Sequence, residues 1–193
     1  MALSFGVQAI GLNFIPRSKR CIDVDRASDI VEQVRGRAVC VGVVADLSKD
    51  AILELVRTCR LDRMQLHGAE PAELVSDLGE LAYKAYGIQS PDDVIAASRQ
   101  PGDPLLVDSR VGAQAGGTGR PFDWSWLGDL PKERDIVLAG GLNPGNVGEA
   151  IRQVRPFGVD VSSGVELPGR PGSKDAGLIE SFIREARQAA AEI

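Results

Sequence analysis

Hydrophobic and polar positions alternate between two patterns along this chain. Short runs rich in Val, Ile and Leu are typical of strands buried on both faces, whereas longer segments between them carry apolar residues at helical spacing. In residues 25–34, for example, Ala27, Ile30, Val31 and Val34 fall on one helical face. The pattern predicts strands at Val7–Phe14, Ala38–Ala45, Arg63–Leu66, Ala82–Tyr86, Pro104–Val107, Ile136–Ala139 and Val159–Val161.

The segments between the strands carry signals for helix starts. Ser48 occupies an N-cap position, and proline opens the first turn of several others. We predict helices at Asp25–Val34, Ser48–Thr58, Pro71–Leu78, Pro91–Ser98, Pro144–Val154 and Ser173–Ala190. Strand–helix alternation of this kind predicts an α/β fold with parallel strands, which fits both a closed barrel and an open doubly wound sheet.

The chain has no linker, low-complexity tract or block of like charges, so we predict a single domain over residues 1–193. Its opening segment, Met1–Gly6, is predicted to be the tail of an amphipathic helix that ends at a C-cap glycine. An α/β chain that opens inside a helix is expected to lack the strand before that helix.

Composition narrows the class of partner. The formal net charge of -5 argues against nucleic acid and anionic membranes, and no apolar run reaches the roughly 18 residues of a membrane span. The cysteines, Cys21, Cys40 and Cys59, have neither metal-binding nor redox spacing. An odd number of such cysteines predicts a reduced, cytoplasmic protein without a metal site.

Candidate chemistry follows the predicted strands, because carboxyl ends of parallel strands form the site in such folds. Asp108 ends the run Leu105–Val107, where a carboxyl group can act as a general acid; a capping or turn aspartate is the alternative. The glycine-rich segment 114–120, with Gly117 and Thr118, is either a phosphate-binding or lid loop or a plain flexible loop.

Two further glycine turns follow the last two predicted strands. Gly140 and Gly141 belong to the first, and Ser162, Ser163 and Gly164 to the second. Turns at these positions often hold phosphate in barrels of eight strand–helix units, so the pair favours a phosphate site over a purely structural role.

A basic cluster and a single histidine complete the set of candidates. Arg20 ends the cluster Arg17–Arg20, which could bind a carboxylate or phosphate or could be a solvated loop. His67 follows a predicted strand, and we interpret it as lining a pocket, since a lone histidine there is more often a turn residue than a catalyst.

In this order, these motifs resemble the phosphoribosylanthranilate isomerase family. The resemblance runs from about Leu3 to the end of the chain, and its most specific part is Gly-Gly-Leu-Asn-Pro followed by Asp-Val-Ser-Ser-Gly-Val-Glu. The matching stretches are Ala9–Phe14, Pro16–Arg20, Gln65–Gly68, Leu106–Asp108, Gly116–Gly119, Phe122–Trp124, Gly140–Asn143, Arg155–Pro156 and Val159–Glu166.

The resemblance implies a TIM barrel that performs an Amadori rearrangement of a phosphosugar without metal or organic cofactor. It implies that Asp108 is the general acid and that Arg20 binds the anthranilate carboxylate. It assigns phosphate binding to the region of Gly117, Thr118, Gly140, Gly141, Ser162, Ser163 and Gly164, and it makes His67 and Asp160 pocket residues. Members of the family are monomers or dimers, so a homodimer is compatible with it.

One departure from the family concerns the general base. The family's first strand reads Lys-hydrophobic-Cys-Gly, and its cysteine removes the proton; Met1 aligns inside the helix after that strand. We therefore expect about seven strands, with open edges at the first and last, and no replacement for the base among the three cysteines. Three interpretations follow: an enzyme whose first strand is encoded upstream of Met1, a non-catalytic phosphosugar-binding paralogue, or a split barrel completed by a partner's strand.

Overall fold

Seven parallel strands form one sheet in which each strand pairs with its neighbours in sequence, from β1 to β7. The structure is a computed structural model that describes residues 1–109, 122–129 and 134–193. All seven predicted strands are confirmed, with ends that shift by two residues or fewer. The strands are β1 (Ala9–Asn13), β2 (Val39–Val44), β3 (Arg63–Leu66), β4 (Ala82–Gly87), β5 (Leu105–Asp108), β6 (Ile136–Leu138) and β7 (Gly158–Val159).

Helices connect the strands, and local caps explain where several of them begin. Ser48 accepts a hydrogen bond from the amide of Ala51 at 3.3 Å, and Ser90 forms a capping box with Asp93 ahead of Pro91. The helices are α1 (Val24–Val34), α2 (Lys49–Cys59), α3 (Ala72–Leu78), α4 (Pro91–Ser98), α5 (Val147–Val154) and α6 (Ala176–Ala190).

Two helices begin three residues later than predicted, and hydrogen bonding explains both differences. Before α5, the Asn146 side chain accepts from the amide of Asn143 at 2.8 Å, which makes residues 143–146 a turn. Before α6, Lys174 forms an antiparallel bridge with Glu166, so the helix begins only after Asp175, which caps the amide of Leu178 at 2.9 Å.

Apolar side chains pack on both faces of the sheet. Its outer face packs against the helices in two clusters, one around Ile52, Met64 and Leu66 and the other around Leu105, Val107 and Phe182. A third, smaller cluster contains no helical residue and therefore lies on the concave inner face. It consists of Ala85, Leu106 and Ala139, with Tyr83 and Val137 packed against them. The arrangement is a curled, seven-stranded half-barrel of the TIM type.

β1 and β7 are the two outermost strands of this sheet. Contacts link them where the strands begin, at the amino edge of the sheet, and where the strands end, at its carboxyl edge. At the amino edge, Ala2–Phe5 forms a 3₁₀ turn instead of the predicted α-helical tail and packs against α6. Gly6 ends this turn with φ +77°, which confirms the predicted C-cap glycine, and its carbonyl accepts from Arg187 at 2.9 Å.

At the carboxyl edge, a partly buried ion pair joins the loop after β1 to the loop after β7. Arg20 Nε and Nη2 donate to the two carboxylate oxygens of Glu166 at 2.7 and 2.6 Å. The amide of Gly172 and the ammonium group of Lys174 also donate to Oε1 of Glu166, at 2.9 and 3.1 Å. Burial alone would raise the pKa of Glu166, but these donors outweigh it and lower that pKa to about 2.

A second ion pair, which is buried, supports the loops after β2 and β3. Lys84 Nζ contacts Glu70 Oε2 at 2.5 Å and donates to the carbonyl of Gly68 at 2.8 Å. Glu70 also accepts from the amides of Asp46 at 2.8 Å and Gly68 at 3.0 Å. Its side chain is only 1% exposed, so the charge depends on these partners rather than on water.

We expect Lys84→Met to lower the free energy of unfolding by about 3–5 kcal/mol, because it leaves the buried Glu70 charge without its cation. Lys49→Met is the matched control, since the Lys49–Asp77 pair is exposed and should contribute less than about 1 kcal/mol. Urea denaturation of both variants measures the difference. Equal losses would contradict the role assigned to the Glu70–Lys84 pair.

Glu166 should make part of the stability depend on pH. Because its pKa falls from 4.5 to about 2 on folding, its contribution, at most about 3 kcal/mol, is complete above the unfolded pKa and declines as pH falls through the folded pKa. We expect the stability difference between wild type and Glu166→Gln, measured by denaturation from pH 7 to pH 3, to shrink mainly below about pH 4.5. A constant difference would contradict this assignment, and Glu54→Gln provides an exposed control.

Candidate active site

The predicted site residues that the structure describes follow the carboxyl ends of parallel strands. Asp108 is the last residue of β5, His67 follows β3, and Asp160 follows β7. Since parallel strands end at the same edge of a sheet, these residues and the glycine turns after β6 and β7 share the carboxyl edge.

Asp108 and the turn after β6 are in close contact. A β-carbon built on Gly140 would lie 2.6 Å from Oδ1 of Asp108 and would also overlap the backbone nitrogen of Ser109. Gly140 has φ +82° as well, so both space and backbone conformation restrict this position to glycine. The absence of a side chain here lets the candidate acid approach the candidate phosphate turn.

Two asparagines hold the turn after β6 in shape. Asn143 and Asn146 donate from their side-chain amides to the carbonyl of Gly141 at 3.3 and 3.1 Å. Asn143 also accepts from the amide of Gly145 at 2.8 Å. The turn is therefore ordered by its own side chains, which favours a preformed binding surface.

The turn after β7 packs directly on the turn after β6. A β-carbon on Gly164 would overlap the carbonyl oxygen of Leu142, so the two backbones touch at this point. Ser162 and Ser163 are exposed beside this contact, and the carbonyl of Ser162 accepts from Lys174 at 2.8 Å. The structure thus brings Asp108, Gly140, Gly141 and Gly164 into one continuous ridge, with the two serines next to it. Gly117 and Thr118 lie outside the described residues.

Polar side chains also line the inner face of the sheet. The Tyr83 hydroxyl donates to Gln65 Oε1 at 3.3 Å, and Gln65 Nε2 lies 3.1 Å from His67 Nδ1. Burial raises the pKa of the Tyr83 phenol, and the nearby charge of Asp160 raises it further. The charge of Asp160 is therefore close enough to act on Tyr83, which is hydrogen-bonded through Gln65 to His67.

Asp160 combines access to solvent with a dense protein environment. The residue is exposed just after β7, yet many protein atoms lie near its carboxyl group. Desolvation therefore raises the pKa of its carboxyl group, and the charge of Lys174 partly offsets that effect. A carboxyl group in this environment suits pocket lining, as the resemblance implies.

Arg20 is fixed on a closed loop that follows β1. The amide of Ile22 donates to the carbonyl of Asn13 at 2.9 Å, which closes the loop, and Ser18 Oγ accepts from the amide of Arg20 at 3.1 Å. The guanidinium pairs with Glu166 at the carboxyl edge and remains partly exposed. The basic cluster is therefore not a purely solvated loop, because Arg20 is anchored.

Two of the three cysteines lie away from the strand ends that build this site, whereas Cys21 directly follows Arg20. Cys40 is buried at the start of β2, where burial and the charge of Asp62 raise the pKa of its thiol. Cys59 ends α2 and is buried, with Sγ 3.7 Å from the carbonyl of Val24. Cys21 is exposed in the loop after β1. Burial therefore disfavours the thiolate form of Cys40.

Over residues 1–109, 122–129 and 134–193, no three His, Cys, Asp or Glu side chains form a group that could hold a metal ion. The helices in the same ranges are too short or too polar to cross a bilayer.

Sequence reasoning missed several residues that shape the site. Glu166 is the last residue of the motif Asp-Val-Ser-Ser-Gly-Val-Glu, but the motif alone indicates no function for it. No local sequence pattern distinguishes Lys174. Their importance depends on contacts between residues far apart in sequence, such as Arg20 with Glu166. The Glu70–Lys84 pair was missed for the same reason.

Comparisons with known proteins agree on one family. The protein-family model described as PRAI, N-(5'phosphoribosyl)anthranilate (PRA) isomerase, matches residues 2–185 of this chain. A protein named N-(5'-phosphoribosyl)anthranilate isomerase from Myxococcus xanthus is 40% identical over 187 residues, which cover 94% of this chain and 87% of the relative. One of the same name from Thermotoga petrophila is 41% identical, over 94% of this chain and 89% of the relative.

Solved structures give the same result. Phosphoribosyl anthranilate isomerase from Thermotoga maritima has a TM-score of 0.87 and 36% identity, covering 97% of this chain and 91% of that one. A phosphoribosyl anthranilate isomerase in complex with reduced 1-(o-carboxyphenylamino)-1-deoxyribulose 5-phosphate has a TM-score of 0.82 and 35% identity, with the same coverage. By sequence, fold and motif order, this chain belongs to the family of N-(5'-phosphoribosyl)anthranilate isomerases, which are isomerase enzymes of tryptophan biosynthesis.

Proposed function

We propose that this protein binds N-(5'-phosphoribosyl)anthranilate and that its site is built for the rearrangement to 1-(2-carboxyphenylamino)-1-deoxyribulose 5-phosphate. The observation that carries the proposal is the contact of Asp108 with Gly140, on the ridge formed by the turns after β6 and β7. An acid beside a glycine-lined anion site can reach a sugar ring whose phosphate lies on those turns.

In this proposal the phosphate binds to backbone amides and hydroxyl groups of the two turns. Gly140, Gly141 and Gly164 provide close backbone approach, and Ser162 and Ser163 provide hydroxyl donors. Gly117 and Thr118 complete the set by resemblance to the family. Arg20 binds the anthranilate carboxylate, while His67 and Asp160 line the pocket.

The chemistry needs one acid and one base. Asp108 donates a proton to the furanose ring oxygen as the bond from that oxygen to the anomeric carbon breaks, which leaves a protonated imine. A base then removes the proton from the adjacent carbon to give an enolamine, which tautomerises to the ketone. Atoms and electrons balance without a redox partner, so the proposal includes no cofactor.

We propose that none of the three cysteines is the base. Cys40 and Cys59 are buried against the outer helices, and Cys21 is an exposed loop residue. In the family, the base is a cysteine on the strand before the segment that corresponds to Ala2–Phe5. Residues 1–193 alone are therefore expected to bind the substrate but to turn it over very slowly.

A second candidate function is that of a non-catalytic phosphosugar-binding protein. Its support is the contact of Asp108 with the glycine turns, together with the burial of Cys40 and Cys59 against the outer helices. Calorimetry with the reduced product analogue would detect binding independently of turnover. Binding by a natural chain that also isomerises the substrate would contradict this candidate.

A third candidate is a barrel completed by another chain. β1 and β7 end the sheet, and parallel edges of this kind can accept an added strand. The donor would be a partner strand or a second copy, and the related enzyme from Thermotoga maritima has been described as dimeric. A purely monomeric protein at all concentrations in sedimentation experiments would exclude a second copy.

Adding a family-type Lys-x-Cys-Gly strand to the amino terminus should raise isomerase turnover by about 100-fold or more, because it supplies a base. The measurement compares initial rates of the 193-residue and extended proteins. Cys21→Ser should leave the rate of either protein unchanged. Equal rates with and without the added strand would show that the base lies within residues 1–193.

Asp108→Asn in the extended protein should lower turnover by about 100-fold or more, because an amide cannot protonate the ring oxygen. Binding of the reduced product analogue should change by less than about threefold, since the ridge remains intact. Asp103→Asn provides the control, because Asp103 is an exposed residue just before β5. A loss of binding that matches the loss of turnover would contradict the acid role.

A further inference from the structure

Protein groups donate hydrogen bonds to both oxygens of the Glu166 carboxylate. Its Oε1 accepts from Arg20 Nε, the amide of Gly172 and Lys174 Nζ, and its Oε2 accepts from Arg20 Nη2 at 2.6 Å. The side chain is 7% exposed. A carboxylate with four donors and little access to solvent has no capacity to accept a substrate proton. Its function is therefore to hold the groups around it.

The geometry of the pair leaves part of the guanidinium free for a ligand. Arginine has two edges for bidentate contacts, one formed by Nε with Nη2 and one formed by both Nη nitrogens. Glu166 occupies the first edge, and Nη1 has no hydrogen-bond partner in the described ranges of the chain. The Arg20 side chain is 32% exposed, so the guanidinium is not enclosed by the protein.

The charges around Glu166 suit one carboxylate group. Arg20 and Lys174 carry two positive charges, and Glu166 cancels one of them. Taken alone, these three groups carry a net charge of about +1, which Asp160 partly offsets through Lys174. The positive charge of Arg20 attracts a carboxylate, and the buried anion keeps the arginine fork in one orientation. Lys174 also donates to the carbonyl of Ser162, which connects this cluster to the turn that carries the proposed phosphate ligands.

We propose that Glu166 is a positioning residue that orients Arg20 so that its unoccupied edge meets the carboxylate of the substrate's aromatic ring. This inference rests on the proposed function, because it takes the aminobenzoate part of the substrate as the ligand of Arg20. Glu166 acts through Arg20 and does not touch the reacting atoms.

The competing explanation is that Glu166 only holds two loops together and does not orient Arg20 for a ligand. A matched pair of ligands distinguishes these two explanations. The first ligand is reduced 1-(o-carboxyphenylamino)-1-deoxyribulose 5-phosphate, and the second is the same compound without the ring carboxylate. The ratio of their affinities isolates the contact with Arg20, whereas general loosening of the site would weaken both ligands. Calorimetry on the 193-residue protein measures this ratio without any need for turnover.

Wild type should prefer the carboxylated ligand by about tenfold or more, as expected for a charge-assisted bidentate contact. Glu166→Gln should reduce that preference to about threefold or less and leave the affinity for the second ligand within about twofold. Glu54→Gln, which breaks an exposed pair with Arg57, should retain the full preference. In an Arg20→Met background, Glu166→Gln should have no further effect on the preference.

Several outcomes would overturn the inference. An unchanged preference in Glu166→Gln would make Glu166 a structural tie only, and an increased preference would show that its charge repels the ligand. If Glu166→Gln does not fold, Glu166→Asp keeps the charge but shortens the reach, and it should lower the preference by at least about threefold. Wild type that binds neither ligand would instead refute the proposed function.

Discussion

The bidentate pair between Arg20 and Glu166 is the interaction on which the carboxyl edge of this protein depends. β1 and β7 end an open sheet, so no backbone ladder between them sets the distance from one loop to the other. The pair performs that task with two short hydrogen bonds, and Gly172 and Lys174 complete the surroundings of the anion. One contact thus organises both the architecture and the proposed ligand surface, because the same guanidinium serves both.

Close backbone packing is the second organising element. Gly140 admits the Asp108 carboxylate, and Gly164 admits the carbonyl of Leu142, so three consecutive strand ends meet without intervening side chains. Larger residues at either position would separate Asp108 from the turns that, in the proposed function, bind the same ribose-sized molecule. Glycine is required at both positions because a side chain would exclude the neighbouring group. At Gly140 the positive φ is a second reason.

Sequence reasoning recovered the local features and missed the contacts between distant loops. Strand and helix positions were predictable because burial patterns, N-cap residues and prolines are local signals, as at Ser48 and Pro91. The placement of Asp108 beside the glycine turns was predictable because parallel strands bring their carboxyl ends together. Glu166 with Arg20 and Glu70 with Lys84 were not, since each pair joins segments whose proximity only the folded chain creates. The start of α6 was misjudged because the bridge between Lys174 and Glu166 competes with the first helical turn.

The sequential order of the strands has a consequence for how the chain assembles. Each strand pairs with its immediate neighbour along the chain, so much of the sheet can form through contacts of modest sequence separation, which generally favours rapid folding. Bringing the first and last units together requires closing nearly the whole polypeptide into a loop, and that step carries the largest entropic cost. Contacts such as Arg187 with Gly6 and Arg20 with Glu166 form only then. The proposed ligand surface would consequently be among the last parts of the molecule to mature.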